Sequence, residues 1–374
     1  MVIGHWLLVI IIQGDNKMNI KGLLKKMVEL NASDLFCRSG SPARFRIDGR
    51  VCVIEDVVLS LNDLEKIVEE LTTPLQRETL KRNLDIDFAI FLEEFERRFR
   101  VSIFMQRNSY AVVIRNVQNK ISTFEELNLP AEVLKKLCTE TRGLVLLTGS
   151  AGSGKSTTIA SMIEYINNNS YRHILTIEEP IEFTFCDKNC LINQRELGLD
   201  VPSYAQALRA FTLQSPDVIY IGNIRDYETM SAAITAAETG VLVLSTLHTI
   251  NAAQSIERII NFFPPHQHEQ IRVQLSYLLK GIISLRLVPL KNQSGRIPAY
   301  EVMLLTPTIS RLIREGKIWE IPPYIEDGGV FGMQSFTQSL VKLVKEGKIS
   351  EEEAMNFADN RDELGLALKG IKKT

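Results

Sequence analysis

Residues 144–157 read LVLLTGSAGSGKST, and this stretch decides the fold. Leu144-Val-Leu-Leu-Thr148 is a continuous apolar run of strand length, as found in a parallel sheet covered on both faces. It leads directly into Gly149-Ser150-Ala151-Gly152-Ser153-Gly154-Lys155-Ser156-Thr157, which satisfies G-x-x-x-x-G-K-[ST] in a strand–loop–helix setting. The glycines let the backbone wrap closely, so that its N–H groups point at a phosphate, and the polarity of the following helix favours the anion. Lys155 is placed to neutralise β- and γ-phosphate oxygens, and the Ser156 hydroxyl to ligate Mg2+. A nucleotide and Mg2+ are the ligands this stretch predicts.

Outward from the loop, further strands are predicted at His173–Ile177, Val218–Ile221 and Val241–Thr246, with helical segments between them. That alternation implies a doubly wound α/β core over residues 131–290, whose ligands bind at the carboxyl edge of the sheet. Three strand ends meet the loop there. One is Thr176-Ile-Glu178-Glu179-Pro180-Ile-Glu182, whose three carboxylates suit Mg2+ or water positioning; the alternative is a solvated acidic turn. Another is Ser245-Thr-Leu-His248-Thr249, which puts a histidine where it could sense a γ-phosphate, although a lone histidine is more often structural. The third is Asp217-Val-Ile-Tyr-Ile-Gly222-Asn223-Ile-Arg225-Asp226. An acid normally meets the attacking water at this point, and here Asn223 presents an amide. Arg225 and Asp226 are expected to pair with each other at the start of the next helix.

The flanks read differently. Residues 18–118 alternate helical and strand patterns, as in a small α+β domain. An amphipathic helix follows Met18, and Ala43–Gly49 with Val51–Ile54 form a hairpin. Ser60 caps the first of two helices separated by Thr72-Thr-Pro74, and strands follow at 87–91, 98–104 and 110–115. Residues 119–130 form a polar linker with a capping-box pattern at Ser122…Glu125, and residues 291–374 are mostly helical. The opening MVIGHWLLVIII is shorter than the roughly 20 helical residues that cross a bilayer. It also lacks the basic region and cleavage site of a signal peptide. The expectation is that Met18 is the start and residues 1–17 an upstream extension; a membrane-contacting tail is the alternative.

The length and composition fit a soluble globular protein of two or three domains: 374 residues, 45% hydrophobic, 24% charged, formal net charge −2. No basic excess points to nucleic acid, and no transmembrane segment is predicted. The five cysteines, Cys37, Cys52, Cys138, Cys186 and Cys190, are scattered and odd in number, which suits reduced thiols. Cys186 and Cys190 lack the second pair of a zinc site.

Together these blocks resemble the secretion-type ATPases, and within them the PilT/PilU group that powers retraction of type IV pili. The resemblance runs from about Met18 to the C-terminus. Ala32-Ser-Asp-Leu35 and Asp48-Gly-Arg-Val51 match its PAS-like N-terminal domain, and Glu178-Glu179-Pro-Ile-Glu182 its acidic box, with Glu179 where Asp is usual. Ser215–Thr229 resembles the Walker B block, Ser245–Thr249 the His box, and Gly332-Met-Gln-Ser-Phe336 the C-terminal helical segment. Gln194–Asp200, Arg258–Pro264 and the ending Ala358-Asp…Glu363-Leu lean towards PilU. Assembly ATPases of the superfamily carry two Cys-x-x-Cys pairs, which this chain does not have.

The resemblance implies a RecA-like P-loop core, a homohexamer, and ATP hydrolysis that drives pilus retraction and twitching motility. It places the protein in the cytoplasm, peripheral to the inner membrane at the pilus base, beside a PilT-like ATPase and the inner-membrane platform protein. It assigns trans contacts on a neighbour's nucleotide to Arg98, Arg100 and Arg115. Two departures stand out. Thr212-Leu213 replaces the usual Leu-Arg pair, and Asn223 replaces the Glu that is the family's general base, while Gly222 takes the usual Walker B aspartate position. Two functions remain open: a slow motor ATPase, or a nucleotide-binding structural partner of an active retraction ATPase. An assembly or type II secretion ATPase is a third.

Overall fold

The computed structural model describes residues 19–47, 50–95, 97–117, 121–291 and 295–371. The expected upstream extension, the start at Met18 and Asp48-Gly49 of the quoted N-terminal block lie outside the described residues. The chain divides into two compact units, residues 1–118 and 119–374.

The first unit contains α1 (Ile20–Glu29), β1 (Asp34–Arg38), β2 (Pro42–Ile47), β3 (Arg50–Val58), α2 (Leu61–Leu71), α3 (Pro74–Asn83), β4 (Asp85–Leu92), β5 (Arg97–Gln106) and β6 (Ser109–Asn116). Among the described residues its strands form one antiparallel sheet in the order β3-β2-β1-β6-β5-β4. Local chemistry sets the helix starts. Asn19 caps α1, Ser60 and Asp63 close a capping box on α2, and Thr73 with Gln76 does the same for α3, whose first residue is Pro74. Leu23, Leu24, Met27, Leu64, Ile67 and Val68 of the helices share one core with Phe99, Val101, Ile103, Val112 and Ile114 of the sheet.

The second unit begins with a turn in which Thr123 and Glu126 exchange side-chain-to-backbone hydrogen bonds, one residue beyond the expected Ser122…Glu125 box. Then come α4 (Ala131–Thr139), β7 (Gly143–Thr148), α5 (Lys155–Asn169), β8 (His173–Glu178), β9 (Leu191–Glu196), α6 (Tyr204–Gln214), β10 (Val218–Ile221), α7 (Tyr227–Glu238), β11 (Leu242–Leu247), α8 (Ala252–Asn261), α9 (His268–Leu278), β12 (Leu279–Pro289) and β13 (Arg296–Leu304). The sheet order is β13-β12-β7-β11-β10-β8-β9, parallel from β12 to β9, with β13 antiparallel at the edge. The central strands β7, β10 and β11 are buried along their whole length, as continuous apolar runs covered on both faces must be.

The chain then turns helical with α10 (Pro307–Glu315), α11 (Ile321–Glu326), α12 (Phe336–Lys345), α13 (Glu351–Phe357) and α14 (Arg361–Leu368). A separate small core joins Leu340, Leu343, Ala354 and Leu364 of these helices to Val288, Ile297 and Ala299 of β12 and β13. No helix among the described residues is long and apolar enough to cross a membrane.

Candidate functional site

The phosphate-loop motif leaves β7 at Thr148 and enters α5 at Lys155. Gly149, Gly152 and Gly154 all have positive φ, and a Cβ on Gly149 would lie 2.5 Å from the Leu285 carbonyl oxygen of β12. Gly154 offers no side-chain cap to α5, so the first N–H groups of that helix stay open to an anion. The buried Ser153 Oγ has no hydrogen-bond partner among the described residues. Lys155 is 7% exposed, and its Nζ donates to the carbonyls of Gly149 at 2.7 Å and Ser150 at 2.8 Å. Burial holds its ammonium pKa below the usual lysine value, opposed by the charge of Glu182. The half-buried Ser156 follows at the second position of α5. Open amides, an orphan hydroxyl and a desolvated ammonium fit a nucleotide polyphosphate.

The three carboxylates of the acidic stretch separate into different environments. Glu178, the last residue of β8, is 6% exposed and accepts from Thr176 Oγ1 at 2.7 Å and Gln194 Nε2 at 3.2 Å. Burial outweighs those bonds and pushes its carboxyl up to about 7. Glu179 is exposed and pairs with Arg225, Oε2 to Nη1 3.2 Å. The expected Arg225–Asp226 pair does not form: Asp226 instead accepts the Thr229 N–H at 2.8 Å and caps α7. Glu182 is exposed, with its charge acting on both Lys155 and Glu178. Among the described residues no three His, Cys, Asp or Glu side chains converge as a metal cluster.

Asn223 follows β10 by two residues and is 8% exposed. Its Oδ1 is buried without a hydrogen-bond partner among the described residues. The backbone around it is pinned on both sides. Gly222 N donates to Ile177 O at 2.8 Å, Thr246 Oγ1 to Gly222 O at 2.7 Å, and Ile224 N to Thr246 O at 3.1 Å. A Cβ on Gly222 would stand 3.2 Å from both Glu178 Cα and Ile177 O, a tight contact that a side chain there would have to relieve by a few tenths of an ångström. It would also lie 3.5 Å from Tyr204 Oη, a second buried hydroxyl without a hydrogen-bond partner among the described residues. Sequence reasoning missed Tyr204, because one tyrosine at a helix start carries no spacing signal. Stranded buried acceptors cost about 1–3 kcal/mol and are commonly met by a water or ligand.

His248, one residue beyond β11, stands exposed. Lost hydration, then the positive charges of Lys155 and Arg225, lower its pKa, so the imidazole is neutral at pH 7. Lys155, Glu178, Glu179, Glu182, Asn223, Arg225 and His248 thus gather at one edge of the sheet. Leu213, in place of the family's arginine, is 88% exposed and joins none of these contacts.

The three candidate arginines belong to the first unit. Arg98 and Arg100 flank the fully buried Phe99 on β5, as alternation predicts. Arg100 and Arg115 are register partners across β5 and β6. Arg100 Nη2 lies 4.0 Å from Asp87 Oδ2, and Arg115 Nε donates to Asp34 Oδ1 at 2.9 Å. Asp34 is buried and also receives Arg46 Nε at 3.0 Å, so Arg115 is held by a buried acid.

Comparison with known proteins matches residues 15–356 to the family described as type II/IV secretion system protein. The type IV pilus ATPase PilU of Pseudomonas aeruginosa is 43% identical, covering 94% of this chain and 92% of its own. The retraction ATPase PilT of the same organism is 42% identical over 91% and 98%. The crystal structure of the pilus retraction motor PilT with bound ADP superposes with a TM-score of 0.86 at 42% identity, covering 93% of this chain and 99% of that one.

Proposed function

The chain belongs to the type II/IV secretion system protein family, as an ATPase of its PilT/PilU group, and on that premise we propose that it is a type IV pilus retraction ATPase with slowed turnover. The observation that carries this reading is Asn223: a buried amide oxygen, with no hydrogen-bond partner among the described residues, at the position of the family's general base.

The loop amides and Lys155 would hold the phosphates of ATP, and Ser156 would hold Mg2+, which when bound would supply neutralising charge to the phosphoryl oxygens. Asn223 Oδ1 accepts a hydrogen bond from the attacking water and orients it, but an amide does not take up the proton. Losing a general base typically costs about 10²–10⁴ in rate. Glu178 is the carboxyl best suited to accept the proton instead, because burial has raised it to about 7. Neutral His248, whose pKa burial and then the charge of Lys155 lower, is the residue that would sense the γ-phosphate. Subunits assemble as a homohexamer, in which Arg98, Arg100 or Arg115 of one chain reaches the nucleotide of the next. The assembly works at the cytoplasmic face of the inner membrane, with the platform protein.

A second reading is favoured by the same amide. A site that grips ATP firmly and turns over slowly suits a nucleotide-loaded partner of an active PilT-like ATPase, passing on its force. The test of the pilus role is genetic. Deleting the gene in its own host should reduce twitching, and the intact chain should restore it. Full rescue by Lys155→Ala would remove nucleotide binding from the function, and normal twitching in the deletion strain would contradict the pilus role.

A further inference from the structure

A row of three polar side chains crosses the apolar sheet beside the phosphate loop. Thr148, Ser284 and Glu301 are register partners on β7, β12 and β13. Thr148 Oγ1 donates to Ser284 Oγ at 3.0 Å, and Ser284 Oγ donates to Glu301 Oε1 at 3.2 Å. The same Glu301 oxygen accepts the Ala252 N–H in the first turn of α8 at 2.7 Å. All three side chains are buried, and burial raises the Glu301 carboxyl against the pull of the Ala252 and Ser284 bonds. Apolar residues of similar volume would hold these strands together at no desolvation cost.

Both ends of the row lead to the site. Thr148 is bonded to Gly149, the first residue of the phosphate loop. Ala252 follows His248 by four residues, and the segment between them is stiffened by Thr249 Oγ1 with Ser255 Oγ at 2.6 Å and Ser255 Oγ on Asn251 O at 2.6 Å. One buried carboxylate therefore anchors the exit of β7 and the His248 segment together.

We propose that Glu301 is a positioning residue for ATP turnover, fixing the phosphate loop and the His248 segment at the separation the γ-phosphate requires. It acts through Ser284, Thr148 and the Ala252 amide and touches no nucleotide; the proposal rests on the ATPase reading above. ADP, held by loop amides and Lys155 alone, does not depend on this separation, whereas ATP does.

The test compares the full-length assembly with Glu301→Ala, Glu301→Gln and Thr148→Val. Glu301→Ala is expected to lower kcat at saturating Mg-ATP by about tenfold or more, because misplacement of a reacting group is costly. It should weaken binding of a non-hydrolysable ATP analogue by about fivefold, with ADP affinity within about twofold of wild type. Glu301→Gln keeps an oxygen that accepts both bonds, and should restore kcat to within about threefold. A purely structural role would move Tm and leave both the rate per nucleotide-binding site and the analogue-to-ADP affinity ratio unchanged. That result overturns the proposal, as does Glu301→Gln behaving like Glu301→Ala. Should Glu301→Ala not fold, the near-isosteric Thr148→Val decides: about threefold lower kcat with ADP affinity retained supports the row, and an unchanged kcat overturns it. If wild type shows no turnover, the ATPase reading fails, and the analogue-to-ADP ratio alone decides the positioning role.

Discussion

Glu179 and Arg225 meet across two strand ends, Oε2 to Nη1 at 3.2 Å, leaving Asp226 free to cap α7. Both partners are substantially exposed, so the pair contributes at most about 1 kcal/mol to stability. Arg225 also acts electrically: after burial and the charge of Lys155, its charge lowers the His248 pKa.

Arg225→Ala should therefore raise the His248 pKa, read by NMR titration of the imidazole, while Tm moves only a few degrees. Removing a positive neighbour favours the imidazolium, which fixes the sign. An unchanged or lower pKa would show that Arg225 does not act on His248.

Lys155→Ala should abolish the thermal stabilisation by Mg-ATP, which for an intact site amounts to about 2.7 kcal/mol at a hundredfold excess over Kd. An undiminished shift in the mutant would contradict the phosphate-loop assignment. Gly149→Ala acts differently. Its Cβ would lie 2.5 Å from Leu285 O at a φ of +144, so it should destabilise the fold by about 2 kcal/mol or more even without nucleotide, measured by denaturant melting.

Turnover should rise between about pH 6 and 8 if Glu178 takes the proton, because its accepting form grows as pH passes a carboxyl raised to about 7. Glu178→Gln should flatten that limb of the kcat profile. The same shift has a stability sign. A folded pKa above the unfolded 4.5 means stability present in acid and lost as pH rises through about 7. Relative to wild type, Glu178→Gln should gain stability on going from pH 5 to pH 8. A profile unchanged by the mutation would remove Glu178 from the reaction.

The central fold was legible because its strands are continuous apolar runs: β7, β8, β10 and β11 fall within a residue of their expected bounds. The edge strands were not. β9 reads Leu191-Ile-Asn-Gln-Arg-Glu196, with two apolar residues, and only its ladder with β8 makes it a strand. The capping box was misplaced because Ser122…Glu125 and Thr123…Glu126 both satisfy the pattern, and spacing cannot choose between them. Arg225 was assigned to its sequence neighbour, whereas its partner lies 46 positions away at the next strand end. Glu301 went unread for the same reason: its partners Ser284 and Ala252 come from other elements, and no local spacing announces them.

Arginine donation between chains predicts complementation. A Lys155→Ala chain still carries Arg98, Arg100 and Arg115, so mixing it with an Arg98→Ala or Arg115→Ala chain should restore part of the ATPase activity that each pure mutant lacks. Inactive mixtures, with co-assembly verified, would count against donation. Asp34 holds Arg115, so Asp34→Asn should weaken that grip and change activity in the same direction as an Arg115 variant.

The most direct measurement is steady-state ATP turnover of the purified assembly, wild type against Asn223→Glu. Asn223 is 8% exposed, and its Oδ1 has no hydrogen-bond partner among the described residues, so the position is already desolvated and a glutamate there would add a basic group of longer reach. Restoring the acid should raise kcat by at least about tenfold, roughly 1.4 kcal/mol of transition-state stabilisation, with little change in ATP affinity. A kcat equal to or below wild type would contradict the claim that the missing base limits this enzyme.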